Sequence, residues 1–174
     1  MLAFLRGTAA RRLYLAGAAV IAALLGFALY LEYVQHLEPC PLCMVQRFAF
    51  IGLLALFAAA SLHNPGRVGA WLYGVLIGLF ALFGVAVAGR HIWIQHLPAD
   101  KVPACGPGLN YMLDHFPMAK VLKELMHGSG ECAAHVWSFL GLGIPEWSVV
   151  WYVLLGAWAI FIALRARQTT PRQG

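Results

Sequence analysis

Residues 42–62 read LCMVQRFAFIGLLALFAAASL, a run of apolar side chains in which Arg47 is the one charged residue. Coiled as a helix, such a run matches the hydrocarbon thickness of a bilayer, roughly 30 Å; as a barrel strand it would be far too long. Three further runs share its character: 13–31 and 68–89 without any charge, and 148–164 with Trp147 at its edge. The rest of the composition agrees, with 61% hydrophobic and 11% charged residues and a mean hydropathy of +0.74. A soluble domain of this size must cover itself with polar side chains, whereas a bilayer lets apolar ones face outward without a hydration cost. The expectation is an all-α membrane protein: residues 1–174 as a single membrane domain built on a four-transmembrane-helix bundle.

The first run starts behind Arg6, Arg11 and Arg12, as a secretory signal would. Its apolar core exceeds a signal h-region, however, and no convincing small-residue cleavage site follows, so it reads as a retained span. A formal net charge of +5 raises the question of nucleic acid. The basic residues sit at the ends of apolar stretches and form no stripe, which argues against that partner and for the lipid bilayer. Arg6, Arg11 and Arg12 precede the first span, Arg67 lies in the second connection, and Arg165, Arg167 and Arg172 follow the last. The positive-inside rule then puts both termini in the cytoplasm, against the smaller weight of Arg90, Lys101, Lys120 and Lys123 on the other side. Glu32, Glu38, Asp100, Asp114, Glu124, Glu131 and Glu146 all fall outside, as do Cys40, Cys43, Cys105 and Cys132. An oxidising compartment permits disulfides there.

His63-Asn64-Pro65-Gly66 is a breaker cluster between the second and third spans. From residue 90 to 147 the chain leaves the membrane, too briefly for an ordinary domain but long enough for a mobile loop. Glycine and proline punctuate its segment 103–108, which therefore resists regular structure. After Pro117, Met118, Val121, Leu122, Leu125 and Met126 recur at helical spacing while Lys120, Lys123 and Glu124 take other faces. This predicts a short amphipathic helix, lying on the membrane surface or packed on the bundle. Gly128-Ser129-Gly130 ends it and delivers Cys132 on flexible backbone.

Cys40-Pro41-Leu42-Cys43 stands where the chain re-enters the membrane. Pro41 suits a first helical turn, and a cysteine at the helix cap has its thiolate favoured by the N-terminal dipole. Redox exchange follows naturally from such a pair, but half of a zinc site and a static disulfide are also open readings. Zinc would need Cys105 and Cys132 as further ligands, split between a membrane edge and a Gly/Pro-rich loop; no metal is expected. Joining Cys105 to Cys132 would be worth roughly 3.6 kcal/mol in chain-entropy arithmetic, so a structural staple competes with a redox role for these two. Two pairs on one side of the membrane can exchange with each other. Arg47 lies four residues after Cys43 on nearly the same helix face. It reads either as a snorkelling anchor or as a cation stabilising a thiolate or a reduced carbonyl oxygen. His91, at the outer end of the third span, reads either as an interface histidine, like His36, His96, His115, His127 and His135, or as a proton relay at that depth. Trp93, Trp137, Trp147 and Tyr111 read as interfacial contacts.

Taken in order, several of these elements resemble the DsbB family of bacterial inner-membrane disulfide-forming oxidoreductases over nearly the whole chain. They are Pro39-Cys40-Pro41-Leu42-Cys43 followed by Arg47, His91 after the third span, the loop cysteines Cys105 and Cys132, and the sequence FLGLGIPEW at 139–147. The resemblance implies a multi-pass inner-membrane enzyme that reoxidises a periplasmic, DsbA-like thioredoxin-fold protein and reduces ubiquinone, with menaquinone the alternative acceptor. It further implies that the donor attacks a loop disulfide at Cys105, that freed Cys132 exchanges with Cys40, and that Cys43 faces the quinone as thiolate. Arg47 and His91 fall at positions associated with the quinone site. Met44-Val45-Gln46 departs from relatives that carry an acidic residue just before the arginine. A tetraspan scaffold with structural disulfides and an enzyme running in the reductive direction are the competing functions.

Overall fold

A computed structural model describes residues 2–103, 114–134 and 137–168. Four long helices carry the fold: α1 (Leu2–Tyr33), α2 (Pro41–His63), α3 (Arg67–Gln95) and α5 (Ile144–Gln168). Between the last two come a 3-10 turn at Ala99–Lys101, the short helix α4 (Met118–His127), a second 3-10 turn at Gly130–Ala133, and a hairpin of β1 (Ser138–Phe139) and β2 (Leu142–Gly143). Cys105, Tyr111, His135, Arg172 and most of the Gly/Pro-rich segment lie outside the described residues.

Each long helix contains a window of mean hydropathy 2.0 to 2.2, of which only 22–39% is buried inside the protein. Phe48, Leu72, Leu79 and Leu82 are among the large apolar side chains left outward. Apolar surface on that scale, all round a bundle, is matched by hydrocarbon and not by water.

Helix boundaries follow local chemistry. Asn64 closes α2 in the left-handed region at φ 44°, its N–H donating to the Ala60 carbonyl. Asparagine tolerates that conformation better than most residues. At the other side of the membrane α3 does not stop where its uncharged run ends; it continues through Arg90 and His91 to Gln95. Arg90 sets its guanidinium over the Trp93 ring, 4.8 Å from the centroid, and as a good helix former it continues the helix beyond the uncharged run. The β-hairpin was not foreseen by hydrophobic alternation, being two residues a side. Its tip puts Leu140 and Gly141 at φ 53° and 79°, as a two-residue type I′ turn demands.

Packing between α3 and α5 uses small residues. A Cβ at Gly74 would stand 3.1 Å from that of Ala163, one at Gly156 would stand 3.3 Å from that of Ala81, and one at Gly84 would strike the Tyr152 ring. Small side chains let membrane helices approach closely where no hydrophobic effect drives them together. Within the bundle, Phe50 and Tyr152 stack at 4.2 Å between centroids, and Tyr14 meets Phe57 edge-on at 6.1 Å. The Tyr152 hydroxyl donates to the Gln46 carbonyl at 2.7 Å, tying α5 to α2 in the turn that carries Arg47. A second, smaller cluster sits at the outer end: Cys40, Leu42, Val45, Val87, Ile94 and Cys132, with Leu125 of α4 packed against it. Val121 is buried as well, whereas Met118 is exposed, so α4 leans on the bundle through part of its apolar face.

Candidate functional site

The first turn of α2 is built around Cys40. This residue is the N-cap, in extended backbone at φ −66° and ψ 163°, with Pro41 in the first helical position. Its sulfur accepts the Cys43 N–H at 3.3 Å, and its carbonyl accepts the Met44 N–H at 3.1 Å. A sulfur in that place faces the unpaired N–H groups of a helix start. Cys43, one turn on, brings its own sulfur to 2.8 Å from that of Cys40.

Cys132 arrives from the other direction. Sequence placed it on flexible backbone behind a glycine pair; the structure instead seats it in the 3-10 turn, 0% exposed, its N–H donating to the Ser129 carbonyl at 2.9 Å. Gly128 makes that approach possible. It holds φ at 79°, and a Cβ there would lie 2.6 Å from the Ile94 side chain and 3.0 Å from that of Leu42. The turn therefore lies directly on α2 and α3. Its hydrogen bond with the Cys40 sulfur, its burial and the negative charge of that neighbouring sulfur push the Cys132 thiol well above the ordinary cysteine range. Cys132 is thus held protonated beside its neighbour.

His91 completes the cluster from α3, and it is only 3% exposed. Its Nε2 lies 3.8 Å from the Cys40 sulfur and 3.1 Å from the Cys132 carbonyl oxygen; its Nδ1 lies 3.1 Å from the Gln46 amide nitrogen. These contacts imply an Nε2–H donating to Cys132 while Gln46 donates to Nδ1. One ligand atom each from Cys40, His91 and Cys132 lies within 4.8 Å of the others.

Arg47 is not adrift in the bilayer edge. Its guanidinium is paired with Glu32 at the end of α1 and donates to the Ala28 carbonyl at 3.4 Å. Cys43, Gln46, Arg47 and His91 share one wall of a cavity of about 970 Å³, whose other walls include Leu25 and Trp151. Trp137, Phe139 and Trp147 form its aromatic rim, with Trp147 Nε1 donating to the Phe139 carbonyl at 3.1 Å. An apolar chamber of this volume with a few convergent polar groups suits a small organic ligand. Gln46 supplies a specific sign of one: it is 3% exposed and its Oε1 is buried with no hydrogen-bond partner among the described residues. That atom accepts, so the group that completes it is a donor, as a ring hydroxyl is; a ring carbonyl oxygen would instead accept from a donor such as the Arg47 guanidinium.

Two members of the site escaped sequence reasoning. Glu32 looked like one of several acidic residues on the outer side, since nothing in spacing links it to Arg47. Gln46 stood out only as a departure from relatives. The signal that could have found it is the rarity of a polar side chain on the buried face of an apolar helix.

The sequence model described as "Disulfide bond formation protein DsbB" matches residues 10–162. A relative from Hahella chejuensis named "Disulfide bond formation protein B" is 49% identical over 158 residues, which make up 90% of this chain and 96% of that one. Proteins of the same name from Acinetobacter baumannii and Nitrosococcus oceani are 51% and 47% identical, over 80% and 84% of this chain and 83% and 86% of their own.

Proposed function

Because this chain belongs to the DsbB family, we propose that it is a thiol:quinone oxidoreductase of the inner membrane that takes two electrons from a periplasmic dithiol protein of the thioredoxin fold and passes them to ubiquinone. The observation that carries this reading is the meeting of three sulfurs and an imidazole beside an apolar cavity that Cys40, Cys43, His91 and Arg47 line.

The chemistry divides into exchanges that conserve electrons. A thiolate of the donor attacks the sulfur of Cys105 in a Cys105–Cys132 disulfide, giving a mixed disulfide and releasing the Cys132 sulfur. The donor's second thiolate then displaces Cys105, leaving the donor oxidised and the loop pair reduced. Cys132 in turn attacks Cys40, breaking a Cys40–Cys43 disulfide and releasing Cys43 as thiolate; Cys105 then attacks Cys132, re-forming the loop disulfide and releasing Cys40, so that both electrons rest on the Cys40–Cys43 pair. Cys132 leaves the first exchange already as thiolate, and its attack must precede reprotonation, which the Cys40 sulfur and burial both favour. Return of the electrons needs an acceptor of two electrons and two protons, which a quinone supplies when bound. Cys43 presents its sulfur to the cavity, Arg47 supplies positive charge on the same helix face, and His91 holds a proton at Nε2. The resulting orientation has both termini and Arg67 cytoplasmic and all four cysteines periplasmic.

The test combines purified protein with a reduced thioredoxin-like donor and short-chain ubiquinone or menaquinone, following thiol loss and quinone absorbance together. Faster turnover with ubiquinone and none for Cys43→Ser are the expected results. A normal rate in Cys43→Ser, or static disulfides that never respond to quinone, overturns the assignment.

A further inference from the structure

Pairwise disulfide exchange needs two sulfurs in line at a time, yet here three thiols share their space with an imidazole that forms no part of any disulfide. Tetrahedral zinc, with bonds of about 2.3 Å to sulfur and 2.0 Å to nitrogen, spaces its ligand atoms roughly 3.5 to 3.8 Å apart. Cys40 Sγ and His91 Nε2 are 3.8 Å apart, Cys132 joins them within 4.8 Å, and Cys43 Sγ stands 2.8 Å from Cys40 Sγ. Small side-chain rotations therefore convert the cluster into a Cys3His set, a recognised ligand combination for this ion.

Gln46 gives independent support. A histidine that binds metal through Nε2 must carry its proton on Nδ1 and donate it to a partner. The Gln46 amide faces Nδ1 at 3.1 Å, and its Oε1 is the buried atom without a partner. A half-turn of that amide exchanges donor for acceptor and places Oε1 on Nδ1–H. The same side chain thus serves both states: donating to Nδ1 while Nε2–H bonds the Cys132 carbonyl, and accepting from Nδ1–H once metal replaces that Nε2 proton.

We propose that the fully reduced protein is a binding site for a soft divalent cation such as Zn2+, held by Cys40, Cys43, Cys132 and His91 with Gln46 orienting the imidazole, and that occupancy blocks disulfide exchange. Binding transfers no electrons; the thiols release their protons to solvent and the sulfurs bond the cation instead of one another. A Cys40–Cys43 disulfide removes two of the four ligands, so the site exists only in the reduced state. The ion is an inhibitor of the exchange relay and no part of its chemistry.

The probe is Co2+, added without quinone or oxygen to full-length protein in detergent after reduction and removal of the reductant. One cobalt per chain is expected, with intense visible bands of tetrahedral geometry and near-ultraviolet thiolate charge transfer, both abolished by Zn2+. The oxidised protein, folded and identical in sequence, should show neither band. Cys132→Ser and His91→Ala should each weaken binding at least tenfold, Gln46→Leu about tenfold, and Cys105→Ser should leave the spectrum unchanged. A pale octahedral spectrum in the reduced wild type overturns the proposal, and so does a site that survives both Cys132→Ser and His91→Ala. Bands in a chain that fails to reduce quinone would uphold the metal site and reject the oxidase reading; turnover without bands would do the reverse.

Discussion

Individual residues in the site act in pairs whose partners come from other helices. Arg47 is tethered by Glu32, so its charge is aimed as well as present. The pair is partly exposed, at 18% and 25% of the two side chains, and is worth on the order of 1 kcal/mol. Glu32→Gln should therefore raise the quinone KM roughly fivefold. Its kcat should change less and Glu32→Asp should restore part of the effect; an unchanged quinone titration would remove Glu32 from the site. Arg47→Met should impair quinone use more severely while leaving donor-driven reduction of the loop pair intact, as a single-turnover experiment without quinone can show. Cys132 carries a pH signature. Because its thiol is held above the ordinary range, the thiolate fraction at neutral pH is unusually small and keeps growing where a free cysteine has already ionised. In the reduced protein its alkylation rate should climb about tenfold per pH unit through pH 9 without the levelling near 8.5 that an ordinary thiol shows. Mass spectrometry of timed samples reads this directly, and a plateau near 8.5 would contradict it.

Among the elements, the closest approaches depend on positions where any side chain would be too large. Gly84 lies beneath the Tyr152 ring, whose hydroxyl holds the Gln46 carbonyl. Gly84→Ala should force that ring aside and cost about 1–3 kcal/mol, the usual range for overpacking. Thermal unfolding in detergent measures it, with Gly78→Ala as a comparison because nothing lies within 4 Å of a Cβ there. Gly128→Ala acts on the site instead. Both the positive φ and contact with Ile94 and Leu42 oppose it, so the turn bearing Cys132 should lift from α2 and α3. Much of this level was legible beforehand. The Pro41 start and the Asn64-Pro65-Gly66 stop of α2 rest on local backbone rules that need no neighbour. The extension of α3 past Arg90 was not legible, because hydropathy marks where the uncharged run ends and not where the helix hydrogen bonds end. The two-residue strands were also too short to give any periodic signal.

At the level of the whole molecule, the consequence is that a loop cysteine is part of the bundle's outer end. A protein lacking both Cys43 and Cys105, by serine substitution, should form a Cys40–Cys132 disulfide on mild oxidation, detectable as a linked peptide pair; Gly128→Ala should slow it. Failure of the two to join would mean that the loop does not dock as described. Taken alone, the sequence determined the four spans and the membrane setting, because a helix must match the bilayer thickness and satisfy its own backbone whatever surrounds it. It also marked Cys40 and Cys43 as a pair at a helix start, a geometry contained within one turn. Only the tertiary structure decided that Cys132 is buried against that turn, that His91 faces it, and that Gln46 and Glu32 orient His91 and Arg47. Those contacts join residues far apart in the chain, and their distances depend on how helices pack, which no local pattern specifies.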